Sequence, residues 1–283
     1  MNLHLELCWG TARGAALPDL ISVASEAGFT TVTASPILFF DAVRDGFSGS
    51  ELRARMSDAG VRVTVVDPLT HGLPGVPELG DLSPQLRAFA IYSEEDCFYA
   101  AQELGASTVN VAHFLAGPQP YGAMLDHLGS LTSRAAERGL DVSLEFIPGT
   151  GIGDIHMAND LCRDISASNL GITFDSWHFH RSGGFDEDQE QLRPALKYVK
   201  VVQLSDAVGE TPAGGYVPMR DRLLPGEGDL PLSELVSTLT AVHPGIRLGL
   251  EIFQAKMRRR SPLAAAISAR DSIIAALTDS ATG

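Results

Sequence analysis

A single (β/α)8 TIM barrel is the fold the sequence predicts, and three observations predict it. Apolar, β-rich runs recur eight times along the 283 residues, and longer segments of helical spacing lie between them. Several of those segments end in glycine just before the next strand, as a left-handed helix cap requires. The length is slightly above the roughly 250 residues usual for such a barrel. The strands are LHLELC (3–8), TVTAS (31–35), VRVTVVD (61–67), STVNVAH (107–113), DVSLEF (141–146), LGITFD (170–175), VKVVQLS (199–205) and IRLGLEIF (246–253). Helical patterns include 17–28, 93–105, 121–139 and 261–279. No boundary divides the chain, so residues 1–283 read as one domain, with 279–283 as a frayed tail. The Pro/Gly-rich stretches 67–84 and 209–232 follow strands and read as active-site loops.

Composition narrows the function classes. With 21 Lys and Arg against 35 Asp and Glu, the net charge of -14 repels nucleic acid and anionic membranes. Three cysteines without close pairing suit a reducing compartment, the cytoplasm by default. No secretory signal and no stretch long and apolar enough to span a membrane is expected. The expected partner is a small molecule, and assembly as a homo-oligomer is left open.

Strands buried on both faces should be apolar throughout, so a polar residue near a C-terminal end is informative. In DVSLEF, Val142, Leu144 and Phe146 oppose Asp141, Ser143 and Glu145. In LGITFD, Ile172 and Phe174 oppose Gly171, Thr173 and Asp175. In VKVVQLS, Val202 and Leu204 oppose Val201, Gln203 and Ser205, and in the last strand Leu248, Leu250 and Ile252 oppose Arg247, Gly249 and Glu251. The apolar sets face helices and the polar sets face the axis. Glu145, Asp175, Gln203 and Glu251 then converge at one mouth without a compensating cation, since Arg247 lies a step lower. Crowded carboxylates call for a divalent cation, and an all-oxygen set favours Mn²⁺ or Mg²⁺, with Co²⁺ or Zn²⁺ as further candidates. Any one of these side chains alone could instead make ordinary hydrogen bonds.

The motifs SLEF, TFDSWH, VVQLSDA, LPGEGDLPL and GLEIF, in this order across the second half, resemble the xylose-isomerase-like TIM barrels of the sugar phosphate isomerase/epimerase superfamily. The resemblance implies a metal held by Glu145, Asp175, Gln203 and Glu251. Many epimerases of the superfamily have histidine where this chain has Gln203, a choice that resembles the dehydroshikimate dehydratases. The first half matches only in outline. Endonuclease IV, a DNA-repair member of the superfamily, is disfavoured by the charge and by a histidine count of only eight.

A metal there stabilises the charge that develops on a carbonyl oxygen as a neighbouring proton leaves. The expected activity is therefore isomerisation or epimerisation of a sugar or keto-polyol. A lyase acting on dehydroshikimate-like or inosose-like substrates is the alternative, and a non-catalytic sugar-binding barrel a remote one. Glu145 and Glu251 suit proton transfer on two faces of a substrate. His178, three residues past Asp175, is a further acid/base candidate, with a fifth metal contact or a surface position as its other readings. His180 faces away if the loop is extended. His113, His71, Arg220 and Trp177 are candidate substrate contacts, each with a packing or surface role as the alternative. Glu227 reads as a loop-structuring residue, and most of KMRRR (256–260) as solvated charge.

Overall fold

The computed structural model describes residues 3–186, 189–210, 217 and 219–279. Eight parallel strands close a barrel in sequence order: β1 His4–Leu7, β2 Thr31–Ala34, β3 Arg62–Leu69, β4 Thr108–Ala112, β5 Asp141–Glu145, β6 Leu170–Asp175, β7 Val199–Leu204 and β8 Arg247–Leu250. The ring closes through β1 and β8, in register from His4 opposite Arg247 to Leu7 opposite Leu250. This is the (β/α)8 barrel expected from the sequence. The proposed tail beyond Asp279 lies outside the described residues, as do 211–216 and 218 of the expected loop 209–232.

The connecting helices are α1 Leu17–Glu26, α2 Pro36–Arg44, α3 Gly49–Ala59, α4 Pro84–Ala90, α5 Glu94–Leu104, α6 Tyr121–Ala136, α7 Ile155–Ile165, α8 Ser176–Arg181, α9 Gln189–Leu196, α10 Leu232–Val242 and α11 Pro262–Asp279. Local chemistry sets their ends. In α3 and α5 a serine cap, Ser48 or Ser93, exchanges hydrogen bonds with an acidic residue three positions on, Glu51 or Asp96. Both helices stop at a glycine with positive φ, Gly60 at 65° and Gly105 at 70°. No helix among the described residues is long and apolar enough to cross a membrane.

The period of two sorts the strands as expected. Val142, Leu144, Phe146, Ile172, Phe174, Val202, Leu204, Leu248 and Leu250 are buried in the hydrophobic layer between barrel and helices. Phe146, Phe174 and Phe179 pack edge-on or tilted there, with centroids 4.8–6.5 Å apart. The opposite faces build a polar axis. Ser143 and Thr173 hydroxyls donate to Asn110 Oδ1 at 3.1 and 2.6 Å, and Asn110 Nδ2 donates to Asp67 Oδ1 and Glu145 Oε2 at 2.7 and 2.9 Å. At the N-terminal end, Glu6 meets the Thr64 hydroxyl and Arg247, whose Nε lies 3.3 Å from Glu6 Oε1. Arg247 is thus spent far from the mouth.

One hydroxyl ties the closing seam to the turn that carries Glu251. Thr11 Oγ1 donates to Leu250 O at 2.7 Å and accepts from Ile252 N at 2.8 Å, fully buried. Thr11→Val keeps the shape and strands both backbone groups. We expect it to destabilise the protein by about 1–3 kcal/mol, read from the urea midpoint at unchanged slope.

Candidate active site

The mouth of the barrel is made by strand ends, so its side chains start from fixed backbone. Glu145 ends β5, Asp175 ends β6, Gln203 lies one residue from the end of β7, and Glu251 directly follows β8, with its N–H still bonded to Leu204 O at 3.0 Å. All four are at most 6% exposed. The stretch after Asp175 was expected to be a loop. It is α8 instead, because Asp175 caps it: Oδ1 accepts from Trp177 N at 2.8 Å and His178 N at 2.9 Å. That turn carries His178 into the site, where its Nε2 is 3.3 Å from Glu145 Oε1.

The sequence reading left these carboxylates without a cation. The structure supplies one, Arg222, from the loop after β7. Its Nη1 donates to Asp175 Oδ2 and lies 3.1 Å from Glu251 Oε2, and its Nη2 is 3.3 Å from His178 Nε2. The guanidinium is sandwiched between Trp177 and Phe253, 5.4 Å from each ring centroid. Arg222 was invisible to strand phase because it sits on no strand. Asp67, at the mouth on β3, was also missed. Its carboxylate accepts from Trp9 Nε1 at 3.1 Å and from Asn110.

Four carboxyl groups, those of Asp67, Glu145, Asp175 and Glu251, therefore share one guanidinium. Burial, reinforced by the Glu145 charge, pushes Asp67 up to about 7. Burial also pushes Glu251 well up, and although Arg222 opposes this, the charges of Asp67, Glu145 and Asp175 add to the rise. Burial works against Asp175 too, but Arg222 and His178 hold it below the usual range. The site thus limits its excess negative charge by retaining protons on some carboxyls.

The other candidates fall outside this cluster. Arg220 is exposed and paired with Asp221 at 2.6 Å, so the basic group at the mouth is Arg222, two residues on. His113 is buried with both ring nitrogens on backbone, Nε2 to Pro74 O at 2.7 Å and Nδ1 from Gly151 N at 3.1 Å; its place is in the packing. His71 Nδ1 bonds Ala90 O at 2.6 Å and fastens the end of α4. Trp177 is buried behind Arg222 and does not line the cavity. Glu227 holds Lys256 at 2.6 Å and Gln254 at 2.8 Å, a loop-structuring role. Next to Arg222, Leu223 exchanges backbone hydrogen bonds with Asp206 at 2.8 and 2.9 Å, and the Asp206 carboxylate collects four further backbone N–H groups of the same loop, from Ala207, Gly226, Gly228 and Leu230, at 2.8–3.1 Å. Gly228 approaches so closely that a Cβ there would meet Ala207 O at 2.3 Å.

A cavity of about 630 Å³ opens over these groups, with Asp67, Glu145, His178, Arg222 and Glu251 in its lining. Two features fit a divalent cation. Atoms of Glu145, Asp175 and His178 that can ligate lie within 4.8 Å of one another. Gln203 Oε1 is buried without a hydrogen-bond partner while its Nε2 donates to Glu251 Oε1 at 3.2 Å, which leaves an amide oxygen free on a residue bonded to Glu251 and in register with Asp175.

The sequence model of the xylose isomerase-like TIM barrel family matches residues 21–274. The chain belongs to this family. Curated relatives of this xylose isomerase-like barrel are similar over shorter stretches. Inosose isomerase of Bacillus licheniformis is 27% identical over 129 residues, 45% of each chain, and that of Bacillus subtilis 26% identical over 132 residues, 46% of each. The match spans less than half the length of these relatives. Among solved structures, the IolI protein with a bound zinc atom superposes with a TM-score of 0.81 at 16% identity, covering 98% of this chain and 99% of that one. L-ribulose 3-epimerase gives 0.68 at 17% identity, covering 99% and 96%. These two show a shared fold.

The Asp206 anchor has a direct test. Asp206→Asn replaces one acceptor oxygen by an NH₂ that faces N–H donors. We expect a loss of about 2–3 kcal/mol and faster tryptic cleavage at Arg220 and Arg222, followed by mass spectrometry.

Proposed function

We propose that this xylose isomerase-like barrel is a divalent-metal-dependent isomerase or epimerase of a sugar or related keto-polyol, moving a proton next to a carbonyl. The observation that carries the reading is the buried, partnerless Gln203 Oε1, on a side chain bonded to Glu251 and in register with Asp175, next to a ligand-sized cavity lined by Glu145 and Glu251. An oxygen donor set with excess negative charge is what a hard cation needs. Glu145, Asp175, Gln203 and Glu251 would hold it; Mn²⁺ or Mg²⁺ suits the donors, and the zinc bound by the IolI protein keeps Zn²⁺ among the candidates. When bound, such an ion supplies electrophilic stabilisation of the oxyanion that develops as the C–H proton leaves. The names of the relatives, inosose isomerase and L-ribulose 3-epimerase, support the same class of chemistry. Cys8, Cys97 and Cys162 are buried and unpaired, which supports a reducing compartment such as the cytoplasm.

The chain's own residues handle the proton. Glu145 and Glu251 come from non-adjacent strands, so a substrate between them meets a carboxyl on two sides, as epimerisation requires. Glu251 lines the cavity and is placed to return a proton to the substrate. His178, with Nε2 between Glu145 and Arg222, is placed to donate to or accept from a substrate hydroxyl. Arg222, carrying a fixed charge, orients the substrate's oxygens. The rings of Trp9 and Phe253 close the sides and limit water.

Exchange in D₂O tests this. With Mn²⁺, Mg²⁺ or Co²⁺ supplied and a panel of ketoses, inososes and dehydroshikimate, we expect a product of unchanged composition carrying one deuterium. A product lighter by water, with a new ultraviolet band, would instead identify a lyase. No exchange, isomerisation or mass loss on any member would sink the enolisation reading. In the same assay, Glu145→Gln and Glu251→Gln should each lower turnover by about 10²–10⁴-fold and weaken metal binding. His178→Ala should lose turnover but retain the metal, measured by metal analysis after gel filtration.

A further inference from the structure

The cavity is divided by polarity. Its floor holds the carboxyls, His178 and Arg222, whereas its upper wall is built by Leu86, Phe89, Phe114, Leu115, Met219 and Phe253. Phe89 and Phe114 meet edge-on, with centroids 5.5 Å apart. The part of this wall on α4 is fastened in place: the Thr70 hydroxyl donates to Phe89 O at 2.7 Å, and His71 bonds Ala90 O. Leu86 stays 42% exposed on that helix, an apolar surface waiting for cover. A cavity of about 630 Å³ also falls within the range, on the order of 300–1,000 Å³, that encloses drug-sized ligands. A bare six-carbon sugar fills only part of it.

No Lys or Arg side chain on this wall offers a counter-charge to a phosphate or a carboxylate. Arg222 is the one Lys or Arg in the lining among the described residues, and it is engaged by Asp175 and Glu251 on the floor. Nearby cations are engaged elsewhere, Arg220 by Asp221, Lys256 by Glu227 and Arg258 by the carbonyl of Met219. Residues 211–216 and 218 contain no Lys, Arg or His. An anionic substituent would lose its hydration against leucine and phenylalanine with no counter-charge.

We infer that the substrate is an uncharged keto-polyol carrying an aromatic substituent, rather than a free sugar or a sugar phosphate. Its hydroxylated head sits on the floor and its ring lies between Leu86, Phe89 and Phe114. This assignment rests on the floor being the sugar-handling end, as proposed above, and names what occupies the rest of the cavity.

Binding tests it without turnover. Trp9 and Trp177, the only two tryptophans, stand at the floor and behind Arg222, so intrinsic fluorescence reports occupancy. The whole chain with Mn²⁺ is titrated with phenyl β-D-glucopyranoside, methyl β-D-glucopyranoside and glucose 6-phosphate. The phenyl glycoside should bind roughly tenfold or more tighter than the methyl one, and the phosphate weakest. Leu86→Ser, and Leu86→Ser with Phe89→Ser, should erase the phenyl preference while leaving methyl glucoside affinity unchanged; both sites are partly exposed, and circular dichroism confirms folding. The inference is overturned by equal affinity for phenyl and methyl glycosides, by tightest binding of the phosphate, by no saturable signal with the phenyl glycoside, or by a phenyl preference that survives in Leu86→Ser. A phenyl preference without D₂O exchange on any substrate would instead remove the isomerase reading and leave the aromatic subsite standing. Exchange on free sugars with no phenyl preference would do the reverse.

Discussion

Four carboxyl groups buried at one end of a barrel around a single guanidinium form the constraint on which the rest of the structure depends. Unscreened carboxylates at such distances repel by several kcal/mol in a low-dielectric interior, so the fold must neutralise them in place. It does so by three means. Arg222 bridges Asp175 and Glu251, burial shifts Asp67 and Glu251 towards their neutral forms, and Asn110, Trp9 and the first turn of α8 donate hydrogen bonds to other carboxylate oxygens. Each device draws on a different element, which is why β3, β4, β6 and the loop after β7 must all close for the mouth to form. The partnerless oxygen of Gln203 is where this neutralisation stops short.

Legibility in the sequence followed regularity of the backbone. Glu145, Asp175, Gln203 and Glu251 were readable because their strands alternate regularly over the residues next to the mouth: the slip in the β6–β7 pairing falls at Lys200, before Val201 and Gln203, and strand position then fixes side-chain direction. Asp67 was not, because β3 is irregular. Val63 pairs with Val32 but Val65 pairs with Thr33, so the register slips at Thr64 and the phase reverses. Thr64, which bonds Glu6, and Asp67, which lines the cavity, both reach the interior although they lie three positions apart. A strict period of two assigns them to opposite faces.

Arg222 was hidden for a different reason. It lies in a stretch with neither period, beside the equally basic Arg220, and only tertiary contacts separate the two: Arg222 meets Asp175 and Glu251, whereas Arg220 pairs with Asp221 at the surface. The signal in the sequence was indirect: Asp206 follows Ser205 at the end of the β7 run, and the glycines of LPGEGD bring successive N–H groups towards one acceptor. His71 and His113 follow the alternative weighed against substrate contact: His71 Nδ1 bonds the carbonyl at the end of α4, and both ring nitrogens of His113 bond loop backbone groups that lack regular partners.

The division between strand and loop also sorts the chemistry. The groups that would bind a cation and move a proton rise from strand ends, where the closed barrel fixes their backbone, or from the helix that Asp175 itself caps. The apolar wall, by contrast, comes from α4 and the segments after β4, β7 and β8, its α4 part held to the barrel by a few hydrogen bonds such as those of Thr70 and His71. Reaction type is thereby tied to the most constrained part of the molecule and substrate fit to a part that can change without disturbing it. Arg222 is the exception, a floor residue carried by a loop. Its neighbour Leu223 is paired with Asp206, and its guanidinium offsets the charge of Asp175 and Glu251, so the loop that shapes the cavity also tempers the charge of the floor.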